Sequence, residues 1–157
     1  MNIEIRRFVD EDAEAVSNIF CRNFLEAYTK SYDYVYCRHM ADYYDCATIK
    51  WYGSKRTHMY VAANGGILVG CGAVTMRGEA CIIDSLFTLP EHHGRGVGSA
   101  VIKVLEADEY ALNCGKCLLF ATLHARGFYI KMGYDDLGIV TRNGIEEHKM
   151  EKCLEAV

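Results

Sequence analysis

The chain has 157 residues, of which 51% are hydrophobic and 24% are charged, a composition typical of one globular domain over residues 1–157. Its formal net charge of −4 excludes the broad basic surface with which proteins bind nucleic acids. The N-terminus lacks the apolar core and cleavage site of a signal peptide, and no apolar stretch is long enough to span a bilayer. The sequence therefore predicts a cytoplasmic protein without nucleic-acid or membrane partners.

The first third of the chain predicts one strand and two helices. Residues 3–8 alternate apolar and polar side chains, as a half-buried strand does. From Asp10, the predicted N-cap, apolar side chains recur at helical spacing as far as Phe24. Residues 33–53 are rich in aromatic side chains and predict a single second helix.

Three strands are predicted next, because the apolar pattern changes from helical to strand-like. Residues 58–63 and 67–76 flank an Asn-Gly-Gly turn, which is a strong hairpin signal. Residues 80–89 predict a third strand, which ends at Pro90 because proline cannot donate to a sheet ladder. This succession predicts a largely antiparallel arrangement.

The last part of the chain alternates helices and strands. A helix is predicted from Val97 to about Asn113, with Leu112 on its buried side and Gly115 as its cap. Shorter elements follow, namely a strand over residues 116–122, a helix over 124–133, and strands over 134–143 and 146–154. The whole pattern predicts a mixed α/β (α+β) fold in which helices flank a central, largely antiparallel sheet.

The segment His-Gly-Arg-Gly-Val-Gly-Ser, residues 93–99, joins the third of these strands to the helix that follows. The first amides of a helix have no partners within the helix and carry partial positive charge. Glycines remove the side chains that would keep a ligand away from these amides. Arg95 adds positive charge and Ser99 adds a hydroxyl, so the segment predicts a phosphate-binding site.

Two common phosphate motifs do not fit this segment. A Walker loop needs a lysine after its last glycine, and the segment has none. In a dinucleotide fingerprint the third glycine lies one residue farther along the chain. A purely structural glycine loop stays open as an alternative.

Three segments in the right order carry a resemblance to the GNAT N-acetyltransferase superfamily. Residues 93–98 resemble its motif [QR]-x-x-G-x-[GA], the preceding Ile-Ile-Asp-Ser-Leu-Phe-Thr-Leu-Pro resembles its central strand, and Ala-Arg-Gly-Phe-Tyr-Ile-Lys-Met-Gly resembles its AxxFYEKLGF segment. The match reaches from about His58 to Tyr134. His93 stands where the family usually has glutamine or arginine, and Thr122 stands where many members have asparagine.

The resemblance implies that acetyl-CoA is the cosubstrate and that no metal is needed. It places the pyrophosphate of acetyl-CoA on the segment formed by His93, Gly94, Arg95, Gly96, Val97, Gly98 and Ser99. It places the pantetheine arm along the backbone of the preceding strand, near Leu86, Phe87 and Thr88, where backbone N–H groups polarise the thioester carbonyl.

Tyr129 and Asp84 are the catalytic candidates. The resemblance makes Tyr129 the general acid, because a phenol with a pKa of about 10 stays protonated at neutral pH and can protonate a leaving thiolate. The alternative is a tyrosine that only packs. Asp84 is a lone carboxylate on an apolar strand, and a regular strand would place Leu86 on the same face. It acts either as a base or as a partner in a structural ion pair. Glu79 is a weaker candidate.

The remaining reactive or aromatic residues support weaker interpretations. His92 and His124 are expected in loops without an assigned role. The 8 cysteines lie mostly among apolar neighbours and are expected to be reduced and packed, and whether the CxxC pair Cys114 and Cys117 has a redox or metal role stays open. The aromatic residues either line an amine pocket or pack in the core, namely Phe24, Tyr28, Tyr32, Tyr34, Tyr36, Tyr43, Tyr44 and Trp51.

The sequence thus predicts a single-domain GNAT-fold acetyltransferase that transfers an acetyl group from acetyl-CoA to a primary amine by direct attack in a ternary complex. The acceptor is a small-molecule or protein amine that the sequence does not identify. Dimers are common in the family, so a homodimer stays open. The alternative is an acyl-CoA-binding sensor or scaffold that has lost turnover.

Overall fold

The structure is a computed structural model that describes residues 1–54 and 57–155. The strands are β1 (Ile3–Arg7), β2 (Thr57–Asn64), β3 (Ile67–Arg77), β4 (Ala80–Thr88), β5 (Lys116–Ala121), β6 (Asp135–Arg142) and β7 (Ile145–Cys153). The helices are α1 (Ala13–Glu26), α2 (Tyr34–Tyr43), α3 (Cys46–Gly53), α4 (Val97–Glu106), α5 (Glu109–Cys114) and α6 (Arg126–Lys131). The predicted mixed fold with a largely antiparallel sheet is confirmed.

The described strands form one sheet in the order β1-β2-β3-β4-β5-β7-β6. Neighbouring strands are antiparallel except β4 and β5, which run parallel. These two strands pair at only two positions, Cys81 with Cys117 and Ile82 with Leu118. Beyond this short ladder the space between the two strands becomes a cavity, which is described below.

A bulge in β4 accompanies the divergence of the two strands. Ser85 has a φ of +55°, and the register between β3 and β4 shifts beside it. The bulge turns Leu86 toward α4, since a Cβ placed on Gly72 would lie 3.2 Å from Leu86 Cδ1 and 2.8 Å from Val101 Cγ1. Asp84 faces the opposite side, where it contacts α3. The strand is therefore not regular at this point, and Leu86 does not share a face with Asp84.

The core lies on both faces of the sheet. α4 packs closely on one face because Gly70 and Gly72 of β3 present no side chains, and a Cβ at Gly70 would lie 2.8 Å from Val97 Cγ1. α1 packs on the other face, where the Phe20 ring lies 4.6 Å from the Phe87 ring. No helix in residues 1–54 and 57–155 is long and apolar enough to cross a membrane.

Two helices that the sequence predicts as single elements are each divided by an aspartate cap. The Asp45 side chain accepts a hydrogen bond from Thr48 N at 2.9 Å and starts α3, and Asp108 does the same for Tyr110 N and starts α5. Leu112 is exposed rather than buried, because the break at Ala107 and Asp108 interrupts the helical periodicity that predicted its burial. Apolar side chains recur at helical spacing on both sides of each aspartate, so the sequence pattern does not reveal the two breaks.

The predicted N-cap of the first helix is also wrong. Asp10 lies in a short 3-10 turn that precedes α1, and its side chain does not cap the helix. Asp12 holds this turn instead, since its carboxylate accepts hydrogen bonds from Val9 N at 2.9 Å and from Arg6 at 2.7 Å. The ends of the other predicted elements, including the αL glycine Gly115 after α5, lie close to their expected positions.

Candidate active site

A cavity of about 930 Å³ opens between β4 and β5. Residues 93–99, called the glycine corner below, form one part of its lining. The opposing part is called the tyrosine wall and consists of Tyr28, Tyr32, Tyr36, Tyr44 and Tyr52. Asp84 and Tyr129 line the same cavity, so both catalytic candidates share one volume with the predicted phosphate site.

The glycine corner places backbone N–H groups at the edge of the cavity. Gly94 and Gly96 have φ angles of +74° and +84°, and a Cβ on either would meet nothing within 4 Å. α4 begins directly after Gly96, so the N–H groups of its first three residues have no partners within the helix. The corner thus combines left-handed glycines, open space and a helix N-terminus, as an anion site requires.

Most residues predicted to hold the cofactor line the cavity. They are Leu86, Phe87, Thr88, His93, Gly94, Gly96, Gly98 and Ser99. Arg95 and Val97 do not line it, because the Arg95 side chain is exposed and the Val97 side chain is buried in the core under α4. Val97 therefore presents only its backbone N–H at the helix start.

His93 connects the glycine corner to the end of β4. Its Nε2 lies 2.8 Å from the carbonyl oxygen of Thr88, at hydrogen-bond distance. The same carbonyl accepts a hydrogen bond from Asn23 Nδ2 at 2.9 Å. His92, also in the lining, has a buried Nδ1 with no hydrogen-bond partner among the described residues. The side chain of His93 thus fixes the corner against the strand.

Asp84 accepts a hydrogen bond of 2.5 Å from the hydroxyl of Tyr52 on α3. Burial raises the pKa of Asp84, and the hydrogen bonds from Tyr52 and Ser85 offset only part of that rise. Burial and the charge of Asp84 also raise the pKa of Tyr52, which keeps the phenol protonated as a donor. Among the described residues, the hydrogen-bond partner of Asp84 is therefore a tyrosine, and no cation of these residues lies at ion-pair distance from it.

Tyr129 lies on α6, half-buried at the cavity lining. Its ring contacts Phe128 at 5.1 Å and Tyr134 at 5.8 Å between centroids. Burial, and secondarily the charge of Asp84, raises the pKa of Tyr129 above the usual value. None of the residues that the structure describes forms a hydrogen bond with its hydroxyl, which is therefore available to a ligand in the cavity.

The structure shows which of the aromatic residues in the first third of the chain line the cavity. Tyr34, Tyr43 and Trp51 are exposed and lie outside the cavity lining, whereas the tyrosines of the wall face inward. Tyr32 also joins distant segments, since its hydroxyl donates to Glu146 O at 2.8 Å and accepts from Leu123 N at 3.2 Å. The aromatic pattern thus belongs in part to a pocket and in part to the surface.

The cysteines and the weaker acidic candidate lie away from this chemistry. All eight cysteines are free thiols, and Cys117 is fully buried opposite Cys81. Among the described residues no group of three or more His, Cys, Asp or Glu side chains is placed to hold a metal ion. Glu79 lies in the β3–β4 turn outside the cavity. Thr122 and His124 line the cavity at 3.4 Å from each other.

Sequence reasoning missed several polar residues of the cavity lining, among them Asn23, Tyr52, Arg77, Arg142 and Glu147. Asn23 was detectable, because it is a polar residue inside the apolar stripe of α1 between Phe20 and Phe24. Tyr52 was hidden by the unrecognised break at the start of α3, which changes the face on which it lies. Arg142 and Glu147 gave no signal beyond their place on either side of an Asn-Gly turn.

Comparison with solved structures finds the same fold in acetyltransferases. The PaiA N-acetyltransferase of Thermoplasma acidophilum, in complex with coenzyme A, has a TM-score of 0.84 at 18% identity, covering 98% of this chain and 99% of that one. A GCN5-related N-acetyltransferase of Rhodopseudomonas palustris has a TM-score of 0.84 at 25% identity, covering 98% and 97%. An aminoglycoside 6'-N-acetyltransferase complexed with coenzyme A has a TM-score of 0.73 at 14% identity, covering 98% of both.

A comparison with curated proteins found no match. The sequence model of the acetyltransferase (GNAT) domain matches residues 55–136, which is just over half of the chain. The matched region contains β4, the glycine corner, α4 and α6, which together hold Asp84, the helix N-terminus and Tyr129. The resemblance drawn from the sequence is confirmed, and the chain belongs to the GNAT acetyltransferase family.

Proposed function

We propose that this chain transfers the acetyl group of acetyl-CoA to a primary amine by direct attack in a ternary complex. The observation that carries the proposal is one cavity lined by a helix N-terminus suited to a pyrophosphate and by a carboxylate and a phenol suited to proton transfer. The whole chain, residues 1–157, acts as a single domain, because α1, β4, α6 and β7 all contribute to the walls of this cavity.

In this proposal acetyl-CoA is held mainly by backbone groups. The pyrophosphate accepts hydrogen bonds from the N–H groups of Val97, Gly98 and Ser99, in the space left open by the neighbouring glycines. The exposed guanidinium of Arg95 adds charge from outside the cavity. The pantetheine arm follows the backbone of β4 at Leu86–Thr88, and Phe87 contributes through its backbone because its ring packs on α1.

The chemical step uses Asp84 as base and Tyr129 as acid. The acceptor ammonium gives one proton to the Asp84 carboxylate, which its raised pKa makes a better proton acceptor. The neutral nitrogen attacks the thioester carbonyl carbon, and the C–N bond forms as the C–S bond breaks. Tyr129 protonates the departing thiolate, the second amine proton restores the phenol, and the proton on Asp84 leaves to solvent.

Proximity supplies much of the acceleration in such a mechanism. The pyrophosphate site fixes the thioester along β4, within the cavity that also holds the amine. Well-oriented reactions of this kind gain up to about 10⁵–10⁸ M in effective concentration. The donor and acceptor groups then need to contribute only the proton transfers, each typically about 10²–10⁴-fold.

Release of free CoA from acetyl-CoA, followed with purified protein and a panel of primary amines, tests the proposal. Amine-dependent release that disappears on replacing Tyr129 with phenylalanine, with N-acetyl product identified by mass, is the expected result. Tight CoA binding by calorimetry without amine-dependent release from any amine would overturn the transfer and favour a CoA-binding module without turnover.

A further inference from the structure

Arg142 lies next to the turn of the β6–β7 hairpin. The turn contains Asn143 and Gly144, with φ angles of +50° and +77°, so that Arg142 pairs directly with Ile145 at the end of the ladder. The guanidinium carbon of Arg142 lies 3.7 Å from the centroid of the Phe120 ring, a stacked cation–π contact. Residues on three strands thus determine the position of one side chain.

One edge of this guanidinium is occupied and the other is open. Arg142 Nε donates to Glu147 Oε1 at 3.0 Å. No residue in the described part of the chain accepts a hydrogen bond from its terminal Nη nitrogens, and Arg142 lines the cavity. A planar guanidinium that is fixed on one edge presents its remaining N–H groups in the geometry that binds a carboxylate through two parallel hydrogen bonds.

The charges near the tyrosine wall add to this site. Arg77 also lines the cavity, and within the described residues no carboxylate lies at ion-pair distance from it. Both guanidinium charges oppose the rise in the pKa of Asp84, which places Arg77 and Arg142 within electrostatic reach of that carboxyl group. Glu147 pairs with Arg142 and offsets one of these two charges, which leaves Arg77 and the open edge of Arg142 to attract a negative group although the chain carries a net charge of −4.

We propose that the acceptor is a primary amine that also carries a carboxylate, that is, a small molecule of the amino-acid class. Its amine lies at Asp84, and its carboxylate lies at the open edge of Arg142 with Arg77 adding long-range attraction. The tyrosine wall surrounds the rest of the molecule with ring faces and hydroxyls. This inference rests on the proposed acetyl transfer and narrows its acceptor.

Matched acceptors test the inference through kcat/KM for CoA release. Each set contains an amino acid, its amide and the amine that remains when the carboxyl group is removed. One set is phenylalanine, phenylalaninamide and phenethylamine, and a longer-spaced set is 5-aminopentanoate, 5-aminopentanamide and butylamine. In at least one set, we expect kcat/KM for the amino acid to exceed the values for its amide and its amine by about tenfold or more. A ratio of this size corresponds to the free energy of one charge-assisted hydrogen-bonded pair.

Variants of Arg142 separate the carboxylate contact from a general effect on the fold. In Arg142→Gln the preference for the carboxylate form should disappear, and in Arg142→Lys, which keeps the charge without the planar fork, part of it should remain. The matched control is Arg38→Gln, since Arg38 is an exposed arginine on α2 that pairs with Asp42 outside the cavity. CoA affinity measured by calorimetry should be the same in all four proteins.

The outcomes distinguish this inference from the proposed function. Turnover in which amides and plain amines match the carboxylate forms within about twofold would overturn the inference and leave acetyl transfer standing. If no acceptor gives turnover, calorimetry measures the binding of the same acceptors to the complex of the protein with CoA. Binding that needs both the carboxylate and Arg142 would support the anion site and reject the transfer, whereas binding that needs neither would reject both.

Discussion

The glycine corner and the tyrosine wall are built in different ways. The corner is one continuous segment whose backbone faces the cavity, while the side chains of Arg95 and Val97 point away, Arg95 into solvent and Val97 into the core. The tyrosine wall consists of side chains that come from α2, α3 and the segments that connect α1 to α2 and α2 to α3. In the proposed complex, the ligand at the corner contacts amides that every residue carries, whereas the ligand at the wall contacts side chains specific to this chain.

The glycine corner and the tyrosine wall should therefore respond differently to mutation. At the corner, changes matter when they add atoms or alter the backbone, because the contacts are backbone contacts. At the wall and its neighbours, removal of a single hydroxyl or guanidinium changes the chemistry. Four experiments, taken from the largest expected effect to the smallest, test whether this division holds.

Replacement of Tyr129 by phenylalanine is expected to have the largest effect. The substitution removes the proposed proton donor and leaves the ring packing intact, so kcat should fall by about 10²–10³-fold. CoA affinity, measured by calorimetry, should not change. The control is Tyr43→Phe, which removes a hydroxyl from an exposed ring outside the cavity. Wild-type turnover in Tyr129→Phe, with an acceptor for which chemistry limits the rate, would exclude the acid role.

A pair of glycine substitutions tests the corner. Gly96 and Gly65 have φ angles of +84° and +59°, and a Cβ on either meets nothing within 4 Å of this chain. Alanine at either position should therefore cost a similar amount of stability, about 1 kcal/mol, from the left-handed backbone alone. Only Gly96 lines the cavity, so Gly96→Ala should weaken CoA binding by about tenfold or more while Gly65→Ala leaves it unchanged.

Equal CoA affinity in the two alanine variants would contradict the pyrophosphate assignment. Thermal unfolding of both proteins provides the internal check, because the melting temperatures should fall together. If Gly96→Ala alone lost its folded structure, the alanine variant of Gly94, which has the same open surroundings, would replace it.

Replacement of Tyr52 by phenylalanine tests the pairing of Asp84. The Tyr52 hydrogen bond stabilises the carboxylate and lowers its pKa against the opposing effect of burial. Without that bond the pKa of Asp84 rises further, and a base is inactive below its pKa. The acidic limb of the kcat/KM profile should therefore move to higher pH, with activity recovering at alkaline pH. A uniform loss of activity at every pH would instead indicate that Tyr52 has only a structural role.

Substitutions of His93 should have the smallest effect. His93 is within hydrogen-bond distance of the Thr88 carbonyl, but that carbonyl also accepts a hydrogen bond from Asn23. The loss in His93→Ala should therefore be close to that of one net hydrogen bond, about 1 kcal/mol, or a few-fold in CoA affinity. His93→Gln, which keeps a donor, should stay within about twofold of wild type. A loss above about thirtyfold in His93→Ala would mean that the imidazole contacts CoA directly.

The sequence predicted the parts of the site that depend on neighbouring residues. One contiguous segment contains the strand that ends at Pro90, the glycines that follow it and the start of α4. Its backbone conformation therefore follows from the conformational preferences of its own residues. The helix that carries Tyr129 was recognised in the same way. The caps Asp45 and Asp108 were missed because apolar periodicity continues on both sides of them, and side-chain capping competes with that signal only weakly.

The sequence by itself determined the family of the protein and the backbone geometry of the proposed anion site, since both depend on short segments whose conformation is set by nearby residues. Only the tertiary structure decided the partners of the reactive side chains. Tyr52 meets Asp84 across 32 residues, and Arg142 meets the cavity through a hairpin at the far end of the sheet. Such contacts arise when packing of the core brings distant faces together, and periodicity reports only which face is buried, not what lies opposite it.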